Sequence, residues 1–139
     1  MKPMPSLVIA DDHDAVLQKV SSMLRSRFTV AAMVRDGESA VLAAMQHKPD
    51  VVILDINMPV LDGFAAAREI KKAEPASRIL FLTMHNDPAY EEFAVQLGAS
   101  GLVLKSRASS DLIAAVEAAL SGERFFGRPV AACVPGQKA

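Results

Sequence analysis

The stretch Val51-Val52-Ile53-Leu54-Asp55-Ile56-Asn57-Met58-Pro59 decides how this chain is read. Its four leading residues are apolar without alternation, which suits a strand buried on both faces, as in a parallel sheet. The run then stops at a carboxylate, and the loop ending in Pro59 keeps that carboxylate accessible. Asp55 is therefore expected at the carboxyl end of a central strand.

Four more apolar runs lie on either side: Leu7-Val8-Ile9-Ala10, Phe28 through Val34, Ile79-Leu80-Phe81-Leu82 and Leu102-Val103-Leu104. Stripes at three-to-four spacing separate them. They are Val16, Leu17, Val20, Met23 and Leu24; then Val41, Leu42 and Met45; then Phe64, Ala67, Ile70 and Lys71. The last two are Tyr90, Phe93, Ala94 and Leu97, and Leu112, Ile113, Val116 and Leu120. Each is the signature of a helix with one apolar face. Asp87-Pro88 reads as an N-cap followed by an N1 proline, Ser109 or Ser110 as another N-cap, and Gly98 and Gly122 as glycines just past helix ends. Strand and helix alternate five times, which predicts an α/β fold with a three-layer α/β/α architecture and a sheet of five parallel strands. A barrel of eight such units needs a much longer chain. The pattern spans residues 5–123, and 124–139 read as a C-terminal tail or the start of a linker.

Composition bounds the function classes. At 139 residues the chain suits one domain, and 51% apolar residues exclude a disordered segment. The net charge of −1 comes without any Lys/Arg block, so neither a nucleic-acid footprint nor an anionic-membrane patch is expected in this domain. The apolar stretch near the amino terminus breaks at Asp11-Asp12, too soon for a signal peptide or a membrane span. Cys133 is the one cysteine, which rules out an internal disulfide and fits a cytoplasmic location.

In an open parallel sheet, ligands bind outside the carboxyl ends of the strands. The first run ends in Asp11-Asp12, the third in Asp55, the fourth in Thr83 and the fifth in Lys105. Like charges at 4 Å repel by about 1 kcal/mol in water and about 4 kcal/mol at a protein-surface dielectric. Three converging carboxylates therefore call for a proton or a cation, and a hard divalent ion with oxygen ligands answers that charge. With Lys105 as a second positive charge and Thr83 as a donor, the set suits an incoming phosphoryl group, with Asp55 as its nucleophile. Taken singly, each residue has an ordinary reading: Asp14 as a cap or solvated loop acid, Thr83 as a strand end, Lys105 as a solvated charge. His13, His47 and His85 show no metal-ligand spacing and read as surface or loop residues, although His85 is close enough to Thr83 to overhang the site. Arg35-Asp36-Gly37, after the second run, carries no assigned role.

Asp11-Asp12, Asp55 with Met58-Pro59 and Asp62-Gly63, Thr83, and Gly98-Ala99-Ser100-Gly101 leading to Lys105 together resemble the receiver domain of two-component response regulators. The resemblance implies a flavodoxin-like strand order of 2-1-3-4-5 with five helices. It implies phosphoryl acceptance on Asp55 from a histidine kinase, with Thr83 and Lys105 acting on the phosphoryl oxygens. Mg²⁺ would be held by Asp12 and Asp55, by Asp11 largely through water, and by the backbone carbonyl of Asn57. Such a chain is a phosphoacceptor, an enzyme only towards its own phosphoryl group, and it can pair as a homodimer. Two positions depart from the common pattern: Leu102 stands where many receivers have an aromatic residue, and Ser106 where many have proline. The stretch from Gly101 to Ser106, with Gly122 through Phe126, is similar to the subfamily that carries a C-terminal helix-turn-helix DNA-binding domain, which implies transcription regulation. The alternative is a stand-alone receiver acting by protein–protein contact.

Other classes fit less well. A dinucleotide or flavin site needs a phosphate-cradling loop after the first strand, where Asp11-Asp12-His13-Asp14 would repel phosphate. An aspartyl-phosphate hydrolase usually shows an Asp-x-Asp pattern and a cap domain, whereas this chain reads Asp55-Ile56-Asn57. A receiver-like docking module usually lacks one of the acids or the lysine, and all are here.

Overall fold

The computed structural model describes residues 4–126 and 129–130. The strands are β1 Ser6–Ala10, β2 Thr29–Val34, β3 Val51–Asp55, β4 Arg78–Thr83 and β5 Gly101–Leu104, followed by the short β6 Arg124–Phe126 and β7 Pro129–Val130. The helices are α1 Asp14–Leu24, α2 Gly37–His47, α3 Gly63–Ala73, α4 Pro88–Gln96 and α5 Ala108–Leu120, with a 3-10 turn over Lys105–Arg107. The sheet order is β2-β1-β3-β4-β5-β6-β7. The pairings from β2 through β6 are parallel. The expected order 2-1-3-4-5 is present, with Asp55 on a strand that has neighbours on both sides.

Alternation along the strands builds two cores. Leu7, Ile9, Val51, Ile53, Leu80, Leu82 and Val103 face α1 and α5, meeting Leu17, Val20, Leu24, Leu112 and Val116. Val8, Ala10, Val52, Leu54, Ile79 and Phe81 face the other way, onto the Ala-rich faces of α2, α3 and α4. Successive side chains point to opposite faces of a strand, so a strand covered on both faces must be apolar at every position. That is why β3 is buried throughout. On the second face Phe64 packs edge-on against Phe81 at 5.0 Å and stacks on Phe93 at 5.0 Å, bracing α3 against α4.

Carboxylates cap three helices. Asp36, Asp62 and Asp87 accept from the N–H groups of Ser39, Ala65 and Ala89 at 2.7, 2.8 and 2.9 Å, satisfying donors the helix leaves free. Asp87-Pro88 thus acts as read, and Asp36 gains the role of capping α2. Gly98 and Gly122 follow their helices with φ of 78° and 82°. The start of α5 is different from the expectation. Its backbone runs straight out of the 3-10 turn, with Ala108 already in helical geometry, so no break is left for a capping serine. Ser110 instead donates from within the first turn to the Arg107 carbonyl at 3.1 Å.

The sheet also exceeds the expected five strands. Beyond Gly122, Phe125 and Phe126 pair with Gly101 and Leu102 of β5. Gly101 makes this possible, because a Cβ there would fall 2.3 Å from the Phe125 carbonyl oxygen. Cys133 and the rest of 131–139 lie outside the described residues.

Candidate functional site

The β3–α3 connection sets the geometry around Asp55. The Gly63 N–H donates to the Ile56 carbonyl at 2.7 Å, folding the loop back over the strand end. A Cβ on Gly63 would come within 2.2 Å of the Asp55 carbonyl oxygen, so only glycine allows this closure. Within the loop, Val60 takes a φ of 70°, a left-handed conformation uncommon for a β-branched residue.

Three of the four strand ends identified in the sequence meet, and the fourth, Thr83, is laddered to Leu104 directly before Lys105. Asp11 and Asp55 are buried, 1% and 3% exposed, and Thr83 is fully enclosed. Lys105 reaches in from the end of β5, with Nζ 2.7 Å from Asp11 Oδ2 and 3.3 Å from Asp55 Oδ2. One ammonium thus faces two carboxylates. Asp11 Oδ2 accepts no aligned hydrogen bond from any described residue, so its partner is the Lys105 charge. Burial raises the Asp55 carboxyl above its ordinary 3.8, and the Asp11 charge adds to the rise. Lys105, by charge and by hydrogen bond, and a backbone hydrogen bond from Asn57 oppose it.

Thr83 Oγ1 accepts from the His85 N–H at 3.1 Å, which leaves the hydroxyl proton available to donate. A depression over the strand ends is lined by His13, Asp55, Asn57, Met84, His85 and Lys105, so His85 does overhang the site. Asp14 sits outside it, ion-paired with Arg35.

His13 is the residue the sequence did not reveal. Its Nδ1 lies 3.1 Å from both Asp11 Oδ1 and Asp12 Oδ1, and its N–H donates to Asp11 Oδ1 at 2.9 Å. The signal was its position directly after two acids. Potential ligand atoms from Asp11, Asp12, His13 and Asp55 all fall within 4.8 Å of one another. Two buried carboxylates served by one ammonium, with the exposed Asp12 beside them, make an oxygen-rich donor set that fits a hard divalent cation.

A doubly covered parallel sheet whose strand ends bring two buried acids, one exposed acid and a lysine together has the architecture of a signalling receiver. Residues 7–117 match the family model described as the response regulator receiver domain, and the chain belongs to that family. Among curated proteins, the transcriptional regulatory protein DegU of Brevibacillus brevis is 36% identical over 122 residues, covering 86% of this chain and 52% of that protein. The fimbriae Z protein of Salmonella typhimurium is 35% identical, covering 91% of this chain and 60% of that protein. The chain thus spans between about half and three-fifths of the length of these relatives. Among solved structures, the signal receiver domain of the response regulator NarL from Mycobacterium tuberculosis has a TM-score of 0.82 at 30% identity, covering 87% of this chain and 99% of that one. A LuxR-family two-component response regulator from Aurantimonas has a TM-score of 0.83 at 33% identity, covering 88% and 89%. No described helix is long and apolar enough to cross a membrane.

Proposed function

We propose that Asp55 accepts a phosphoryl group from the phosphohistidine of a histidine kinase, and that Mg²⁺ held by Asp11, Asp12, Asp55 and the Asn57 carbonyl is required. The observation carrying this reading is that Lys105 lies 2.7 Å from Asp11 and 3.3 Å from Asp55, at the mouth of a depression that Asp55 itself lines. Asp55 attacks phosphorus as the bond from phosphorus to the donor nitrogen breaks, so one bond forms as one is lost. When bound, the metal ion neutralises charge on the phosphoryl oxygens. Lys105 supplies a second fixed positive charge to those oxygens, and the Thr83 hydroxyl donates to one of them. His13 holds Asp11 and Asp12 in place from the outer side. Water attacking the same phosphorus breaks its bond to the Asp55 oxygen, so inorganic phosphate leaves and the free carboxylate is restored.

The output follows from the relatives. The curated proteins matched at this coverage include transcriptional regulators, and the chain spans only part of their length. We read it as the receiver of a cytoplasmic transcription regulator whose DNA-binding part lies outside this chain, acting as a homodimer. A solved structure of RcsB dimers bound to DNA, 30% identical and covered over 64% of its chain, supports that reading.

Incubation with a small acyl phosphate and Mg²⁺ is expected to add one phosphoryl mass to the wild-type chain and none to Asp55→Asn, read by intact-mass spectrometry. Equal labelling of the variant would remove Asp55 from the role.

A further inference from the structure

The opposite edge of the sheet carries a second, unassigned site. At the amino ends of β4, β5 and β6 lies a cavity of about 440 Å³. Three cations line it: Lys71 from the last turn of α3, Arg78 from the start of β4 and Arg124 from the start of β6. All three are partly buried. None forms an ion pair with any described residue, although Glu123 also lines the cavity. Glu74, next to the cavity's Pro75, pairs with Lys48 at 3.6 Å instead. The residues outside the described set contain no Asp or Glu, so no side chain there supplies the missing charge.

Two further features shape the cavity. Ser100 lines the cavity and is 7% exposed, its backbone fixed by its N–H donating to the Ile79 carbonyl at 2.7 Å and its carbonyl accepting from the Phe125 N–H at 2.9 Å. Gly98 and Gly122 leave the wall open: a Cβ on Gly98 would meet nothing within 4 Å, and one on Gly122 would meet only the Arg78 guanidinium at 4.0 Å. Burial, and after it the neighbouring Arg78 charge, holds the Lys71 ammonium below its ordinary range.

We propose that this cavity binds a small, multiply charged anion of the phosphate or phosphate-ester class, held by Lys71, Arg78 and Arg124 with Ser100 donating to one of its oxygens. Two guanidinium forks suit a group with several equivalent oxygens. The cavity exceeds what a lone phosphate fills and lies in the range of small-ligand sites, about 300–1,000 Å³.

The test is an amide-resolved NMR titration of the metal-free chain, run separately with pyrophosphate and with adenosine 5′-monophosphate at constant ionic strength. Saturable shifts are expected at residues 98–101 and 122–124, away from Asp55, Thr83 and Lys105. Tighter binding of pyrophosphate identifies an inorganic anion as the source, and tighter binding of the nucleotide an ester. Arg124→Gln and Ser100→Ala are each expected to weaken binding, Arg124→Gln by about tenfold, as the loss of one charge-assisted hydrogen bond implies. Thermal unfolding checks that both variants fold, and Arg78→Gln serves in place of either one that does not. Shifts that fail to saturate, that sodium chloride alone reproduces, or that both variants leave unchanged overturn the proposal. So does saturation confined to the Asp55 edge.

Discussion

At the carboxyl edge of the sheet one ammonium, Lys105, is wedged between two buried carboxylates. At the amino edge three cations surround a cavity and pair with no described acid. The two ends carry opposite unbalanced charge. At one end the surplus is negative and tightly coupled across three strands; at the other it is positive and spread around an opening. Charge removal should therefore have opposite consequences at the two ends, even though a single net charge of −1 describes the whole chain.

The largest effect is expected from Lys105→Ala. It leaves Asp11 and Asp55 buried without their shared cation, and breaking such an arrangement costs about 3–5 kcal/mol. Urea unfolding in the absence of metal should show this loss, and added Mg²⁺ should restore part of it. Unchanged stability would mean that the lysine is not what balances the two acids.

Asp55→Asn comes next, read as a pH profile of metal-free stability. The folded-state carboxyl sits above 3.8, so the folded chain holds its proton to higher pH than the unfolded chain does. Asp55 then favours folding below 3.8, and that contribution is lost as pH rises through the folded value. The wild type should lose stability across this window relative to Asp55→Asn, whose profile should be flatter. Parallel profiles would break the assignment.

Lys71→Met probes the other end, where the sign reverses. A lysine held below 10.5 in the folded state makes stability rise with pH as it deprotonates. Its removal at neutral pH is expected to raise the thermal midpoint slightly and to flatten the alkaline limb. A clear drop would show that the ammonium's bond to the Ser77 carbonyl, at 3.3 Å, outweighs its desolvation. The smallest effect concerns Val60. Replacing it with glycine relieves a left-handed backbone at an exposed position and should stabilise the chain by no more than about 1 kcal/mol, visible as a small rise in the midpoint.

The carboxyl edge was legible in the sequence because a parallel sheet gathers its strand ends. Once the apolar runs are found, Asp11, Asp12, Asp55, Thr83 and Lys105 follow without knowledge of any contact. The amino edge was not. Lys71, Arg78 and Arg124 come from a helix end and two strand starts, and nothing in their spacing marks them as neighbours. β6 escaped for a related reason: three residues carry no period, and its pairing depends on the bare backbone of Gly101 rather than on any pattern within Arg124-Phe125-Phe126. His13 read as a loop residue because its role comes from the turn into α1, which swings Nδ1 back onto the two acids before it.

The pairing of β6 with β5 also has a mechanical meaning. Lys105 follows directly on β5, and Leu102 of that strand is laddered to Phe126. The chain leaving α5 is thus stapled to the strand whose end carries the site's cation, with a lever arm of about 10 Å between Leu102 and Lys105 at the usual rise per residue. Any tug on Lys105 is borne by a rod of four residues. That rod has β4 on one flank and, along Gly101 and Leu102, the outgoing chain on the other, so the pocket and the exit are joined through four residues.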